Sequence, residues 1–194
     1  MLELKRALPA MTPPRAAAAA RDLGTDASAL AATIRGVAAG DQDAFARLYA
    51  EYVRMVHAIL LGRVPRRDVD DLVQDVFLAA YTRIGELREP DAFGGWIAAI
   101  ARNRATDYLR RSHVQEELPD ELPGGDPIDA ETFVVLDVVR KLPEAYRETL
   151  LMRLVEGMSG LEIAERSGLT PASVRVNLHR GMKMLREKLG WRTT

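Results

Sequence analysis

The stretch Met158-Ser-Gly-Leu-Glu-Ile-Ala-Glu-Arg-Ser-Gly-Leu-Thr-Pro-Ala-Ser-Val-Arg-Val-Asn-Leu-His-Arg-Gly181 reads as a helix, a short turn and a second, basic helix. That is the layout of a helix-turn-helix reader of DNA. Leu161, Ile163, Ala164 and Leu169 supply a small apolar face, and Ser167-Gly168 supplies the turn. Thr170-Pro171 provides an N-cap followed by proline at the first helical position, where a missing amide hydrogen costs nothing. In the second helix Val174, Leu178, Met182, Leu185 and Leu189 recur every three to four residues, so Arg175, His179, Arg180, Lys183 and Arg186 project away from the core. From Pro171 to Thr194 there are six basic residues (Arg175, Arg180, Lys183, Arg186, Lys188, Arg192) against Glu187 alone, in a chain whose total charge is only −1. A basic face of this kind suits phosphate contact through counterion release, and by charge alone it also suits a solvated amphipathic helix; the turn, cap and spacing together favour DNA.

At 194 residues and 47% hydrophobic content, the chain can form one domain or two small ones. No apolar run approaches the roughly 20 residues of a membrane-spanning helix, and Met1-Leu-Glu-Leu-Lys-Arg-Ala-Leu-Pro9 has no continuous signal-peptide core. The expectation is a cytoplasmic protein with no membrane span. Cysteine is absent, which excludes disulfides and thiolate metal sites, and His57, His113 and His179 are too scattered for a zinc cluster. No metal or cofactor is therefore expected. The chain also has no Ser/His/Asp constellation and no glycine-rich phosphate loop, so it does not read as an enzyme.

Residues 1–25 carry Pro9, Pro13 and Pro14 and the run Ala16 to Ala20, a biased composition that reads as a flexible tail or a short conditional helix. Residues 26–111 have a helical pattern throughout, with breaks at Gly40-Asp41, Gly62 to Arg67 and Gly85 to Asp91, which gives about four helices. Residues 112–128 hold Pro119, Pro123, Gly124, Gly125 and Pro127 among Glu116, Glu117, Asp120, Glu121 and Asp126, and read as an acidic linker. Helical periodicity returns over 129–194, in Phe133, Val134, Leu136, Val138 and Val139, then in Tyr146, Leu150, Leu151 and Leu154. The expected fold is all-α: two small helical domains joined by a tether.

In the first domain, Asp68-Val-Asp-Asp-Leu-Val-Gln-Asp-Val-Phe-Leu-Ala-Ala-Tyr81 sets Asp68, Asp71 and Asp75 on one helical stripe and Val69, Leu72, Val73, Val76 and Ala80 on another. Such acids serve a cationic partner or simply face water, and Asp68 near the N-terminus is also explained by the helix dipole. Further on, Phe93-Gly-Gly-Trp96 opens a helix carrying Arg102, Asn103, Arg104, Arg110 and Arg111, with Asp107 its only acid. Aromatic rings beside a basic helix suit melted nucleic acid, since rings stack on exposed bases while arginines hold phosphates.

The Asp-rich helix, the run Phe-Gly-Gly-Trp-Ile-Ala-Ala-Ile-Ala-Arg-Asn103 and the C-terminal helix-turn-helix, in that order, resemble bacterial RNA polymerase sigma factors of the sigma-70 family, in the extracytoplasmic-function group. The resemblance spans about Asp41 to Arg111 and Leu142 to Leu189. It implies a promoter-specificity subunit whose partners are core RNA polymerase, through the clamp helices of the β′ subunit and the flap of the β subunit, and promoter DNA, both duplex and melted. An anti-sigma factor is a further partner that the resemblance raises. Docking on the polymerase carries over to Asp71, Gln74, Asp75 and Phe77, although Phe77 also fits the core. Capture of a flipped minus-ten base carries over to Leu87-Arg-Glu-Pro-Asp91, with Leu87, Arg88 and Asp91 as contacts and Asn103 and Arg104 along the same strand. Holding an extruded base offsets the few kcal/mol of unstacking, to order of magnitude. Trp96 fits both core packing and a stacking or wedge role at the melted edge.

Minus-thirty-five reading in the major groove carries over to Ser173, Arg175 and Val176 near base edges, and to His179, Arg180 and Lys183 towards base or backbone. This chain departs from the common family run at Val176, Asn177 and Met182, where polar or basic residues are usual. The resemblance also threads the acidic linker through the polymerase channels, and a solvated spacer explains the same charges. The competing reading of the whole chain is a conventional helix-turn-helix regulator that needs no polymerase.

Overall fold

The computed structural model describes residues 25–111 and 128–191. Among them are eight α-helices and no β-strand, which gives the expected all-α class. The helices are α1 (Thr25–Ala38), α2 (Gln42–Leu61), α3 (Val69–Arg83), α4 (Phe93–Arg111), α5 (Ala130–Arg140), α6 (Glu144–Leu154), α7 (Gly160–Ser167) and α8 (Pro171–Lys188). Of the expected tail (1–25) and linker (112–128), residues 1–24 and 112–127 lie outside the described residues, while Thr25 begins α1 and Ile128 is buried and belongs with α5–α8. The described residues divide into two compact units, α1–α4 and α5–α8.

In the first unit the breaks have local causes. Asp41 is the N-cap of α2, its carboxylate accepting from the amides of Asp43 at 2.9 Å and Ala44 at 3.1 Å. Gly62 closes the same helix, its amide donating to the Ala58 carbonyl at 3.1 Å. Helix α2 packs against α1, α3 and α4. Leu48, Val56 and Ile59 from α2, Val69, Val76 and Phe77 from α3, and Phe93, Ile97 and Ala101 from α4 form the core between them. The Tyr52 ring meets the Phe93 ring edge-on, with centroids 4.9 Å apart, which fixes the start of α4 against the middle of α2.

In the second unit, α8 packs on α5, α6 and α7. Ser159 and Glu162 form a capping box at the start of α7: the Ser159 amide donates to Glu162 Oε2 at 2.7 Å, and the Glu162 amide donates to Ser159 Oγ at 3.3 Å. The hydrogen bond from the Ser159 backbone holds the Glu162 carboxyl below its ordinary value. Helix α7 stops at Gly168, whose φ of 71° lies in the left-handed region that glycine enters without a Cβ penalty. Thr170 then caps α8, its hydroxyl accepting from the Ser173 amide at 3.1 Å, with Pro171 at the first helical position.

The expected apolar sets need correction in places. Ile163 and Ala164 are buried, whereas Leu161 is 66% exposed and Leu169 also reaches solvent. In α8, Val174, Gly181 and Leu185 form the buried stripe, while Leu178, Met182 and Leu189 are only half-buried. Val134 is exposed and its neighbour Val135 is buried, because the run Phe133-Val-Val-Leu136 leaves the helical phase open until α5 meets its partners. Gly181 is where α8 comes closest to α6: a Cβ there would lie 3.0 Å from Leu150 Cδ1 and 3.2 Å from Tyr146 Cβ.

Two expected outcomes follow for thermal unfolding of the full chain, read by circular dichroism. Gly181→Val should destabilise the unit that holds α8 by about 1 to 3 kcal/mol through overpacking against Leu150 and Tyr146, and an unchanged transition would mean that this contact yields freely. Ser159→Ala should cost about 1 kcal/mol at neutral pH. Because the Glu162 acid is depressed in the folded state, its contribution is present above the ordinary carboxyl value of 4.5 and fades as pH falls through the lower folded value. Glu162→Gln should therefore remove that pH dependence, and a variant that keeps it would refute the assignment.

Candidate nucleic-acid interface

Helix α3 buries Val69, Leu72, Val73, Val76, Phe77 and Ala80, and this leaves Asp71, Gln74 and Asp75 on its exposed side. Asp68 leaves the expected acidic stripe. It lies in the short 3-10 turn Arg66–Asp68, where its Oδ2 accepts from the Tyr108 hydroxyl at 2.6 Å and pairs with Arg67 Nε at 3.3 Å. Its carboxylate thus ties the end of α4 to the start of α3. Asp70 makes a second tie, with Oδ1 3.3 Å from Nε2 of His57, a histidine of α2 that is only 2% exposed. His57 is therefore structural, and His113 lies outside the described residues.

Phe77 corrects the expected docking set. It is 3% exposed, with its ring centroid 4.5 Å from that of Tyr49 and 6.4 Å from that of Phe45, so it belongs to the core and offers no ring to a partner. The sequence reading also missed Leu78 and Tyr81. They are 63% and 41% exposed and follow Gln74 at intervals of four and three residues, which adds an apolar strip beside the acids. The signal was present in the sequence, because position 78 lies off the stripe defined by residues 69, 72, 73, 76 and 80.

Between α3 and α4 the chain makes two short 3-10 turns, Ile84–Glu86 and Pro90–Ala92. Ile84 anchors the first in the core, Leu87 is half-buried, and Arg88 and Asp91 are exposed. Arg83 pairs with Glu86 Oε2 at 2.9 Å, holding the turn, while Arg88 has no ion pair among the described residues. On α4, Asn103 is exposed and Arg104 half-buried. The Trp96 ring is half-buried with its centroid 5.8 Å from that of Phe93, so one part packs inward and the rest stays accessible. Leu87, Arg88, Asp91, Trp96, Asn103 and Arg104 thus all belong to the first unit and keep solvent-accessible surface.

In the second unit, burial of Val174, Gly181 and Leu185 turns Arg175, Val176, His179, Arg180 and Lys183 outward, and all five are exposed. Arg175 and Arg180 make no ion pair among the described residues, so both guanidinium groups are available. Lys183 lies 3.9 Å from Glu187 Oε1 at a well-exposed position, a contact of small energy that an anionic ligand can displace. Ser173 is more constrained than the sequence suggests: it is half-buried and its hydroxyl lies 2.9 Å from that of Thr170. A capped turn that presents a helix with a free basic face, built on a buried opposite stripe, can enter a major groove. Among the described residues, no group of acids and histidines is arranged to hold a metal, and no helix is long and apolar enough to cross a membrane.

Comparison with known proteins agrees with this division. The sigma-70 region 2 family matches residues 48–114, and the sigma-70 region 4 family matches residues 133–185. RNA polymerase sigma factor CarQ of Myxococcus xanthus is 31% identical over 160 residues, covering 78% of this chain and 92% of CarQ. The ECF RNA polymerase sigma-E factor of Haemophilus influenzae is 29% identical over 177 residues, covering 81% of this chain and 94% of that protein. Among solved structures, CnrH in complex with the cytosolic domain of CnrY matches with a TM-score of 0.58 and 26% identity, over 83% of this chain and 97% of that one. The chain belongs to the sigma-70 family of RNA polymerase sigma factors, in the extracytoplasmic-function (ECF) group.

Proposed function

We propose that this sigma factor divides its work between residues 26–111 and 129–194, with 112–128 as the linker. The first part docks on core RNA polymerase and engages the minus-ten element as it melts; the second reads the minus-thirty-five element. The observation that carries this reading is the pair of region matches combined with two surfaces of contrasting charge, one in each unit: acids and apolar groups exposed on α3, and unpaired arginines exposed on α8. A conventional regulator has no use for a region 2 domain, which removes the ground for that alternative.

Asp71, Gln74 and Asp75 take the docking role on the β′ clamp helices, with Leu78 and Tyr81 adding apolar contact. Arg88, Asp91 and the accessible part of Leu87 hold the extruded minus-ten base. Trp96, Asn103 and Arg104 line the path of the melted strand, and Arg175, His179, Arg180 and Lys183 meet the upstream duplex. The protein acts by binding rather than by catalysis, converting contact energy into strand separation, and it works in the cytoplasm with the polymerase. The CnrH complex with a second protein supports an anti-sigma factor as a further partner.

The test is run-off transcription with purified core polymerase, this protein and a promoter library, followed by sequencing of the transcript starts. Starts that share two spaced upstream elements are expected; duplex binding without any protein-dependent start would overturn the reading. Asp75→Arg should abolish polymerase association and transcription while leaving the fold intact by circular dichroism, since Asp75 is exposed. Undiminished transcription by that variant would remove Asp75 from the docking face. Arg175→Ala should cost about 1 to 3 kcal/mol of promoter discrimination, read as the ratio of affinities for cognate and scrambled upstream elements. An equal loss on both sequences would make Arg175 a phosphate contact.

A further inference from the structure

Val176 stands apart on the exposed side of α8. It is 44% exposed and lies one turn after the exposed Ala172, next in sequence to the exposed Arg175. Isolated apolar side chains on a protein surface need no explanation. Here, however, two of them sit four residues apart in the first turns of a capped recognition helix, the part of a helix-turn-helix that meets base edges. The exposed cations Arg175 and Arg180, with the exposed His179 as a hydrogen-bonding neighbour, make the face complementary to DNA. Neither valine nor alanine can donate or accept a hydrogen bond, so neither can satisfy the polar edges of guanine, cytosine or adenine. The one apolar group on a base edge in the major groove is the C5 methyl of thymine.

We propose that Val176, with Ala172 beside it, is a specificity-determining residue that reads a thymine methyl in the minus-thirty-five element. The proposal rests on the promoter-reading role given above and adds the chemistry of one base. At 1.5 Å of rise per residue, positions 172 and 176 are about 6 Å apart along the helix, or roughly two base steps of 3.4 Å. The thymine lies within about two base steps of the base that Arg175 reads.

The test uses holoenzyme assembled from core polymerase and the full chain, on a promoter obtained from the transcript-start library. Each thymine of the upstream element is replaced in turn by deoxyuridine, which removes the methyl and leaves every hydrogen-bonding group in place. At one position, deoxyuridine should weaken binding by the parent protein about three- to tenfold. Val176→Ala should be insensitive to that replacement, and Val176→Thr, which keeps one methyl of its own, should retain part of the sensitivity. Val176 is exposed, so neither variant endangers the fold. If the parent binds its promoter specifically yet no thymine is methyl-sensitive, or if Val176→Ala keeps the parent's full sensitivity, the inference is overturned while the sigma-factor reading stands. If no promoter is bound specifically even with natural thymines, the underlying reading falls and takes the inference with it.

Discussion

Helices α3 and α8 each bury one stripe, and helical geometry aims their other side chains towards the surface. In α8 that constraint is concentrated at Val174, Gly181 and Leu185, with Gly181 letting the helix approach Leu150 and Tyr146 of α6 closely. The consequence is electrostatic. With this stripe inside, Arg175 and Arg180 face water; a rotation of one residue, about 100°, would drive a guanidinium towards the core, where an unpaired charge costs several kcal/mol, to order of magnitude. Core packing and DNA reading are thus two faces of one register.

In the first unit the same division separates acids that look equivalent in the sequence. Of the four aspartates at positions 68, 70, 71 and 75, two are tied to neighbouring helices: Asp68 to Tyr108 of α4, and Asp70 to His57 of α2. These ties set where α3 begins and how α2 and α4 meet it. Asp71 and Asp75 make neither contact and point outward, and the exposed Leu78 and Tyr81 continue their side of the helix. A surface of acids with an apolar strip has more to offer a protein partner than charge alone, since the strip contributes burial that salt does not screen.

Much of this was legible before any coordinates. Helix ends followed from Gly40-Asp41, Gly62 and Thr170-Pro171, because caps and breakers act through local hydrogen bonds that sequence neighbours control. The capping box of Ser159 and Glu162 is equally local, since its Ser-x-x-Glu spacing needs no long-range partner. What the sequence hid were choices among near-equal apolar residues. Val134 and Val135 differ by one step of helical phase; Leu161 and Ile163 differ only in which one α6 and α8 leave room for. Phe77 resembled a docking contact by its place in the motif, and the rings of Phe45 and Tyr49 make it core.

The sequence by itself therefore determined the all-α class, the helix-turn-helix with its capped basic helix, and the candidate faces of α3 and α8, since these rest on periodicity, caps and charge within a few residues. The tertiary structure decided which acid is a strut and which is free, which aromatic is buried, and that Val176 stands exposed beside Arg175. Those outcomes depend on which helices come to lie against a given stripe, and residues as distant as Asp68 and Tyr108 meet only once the chain has packed.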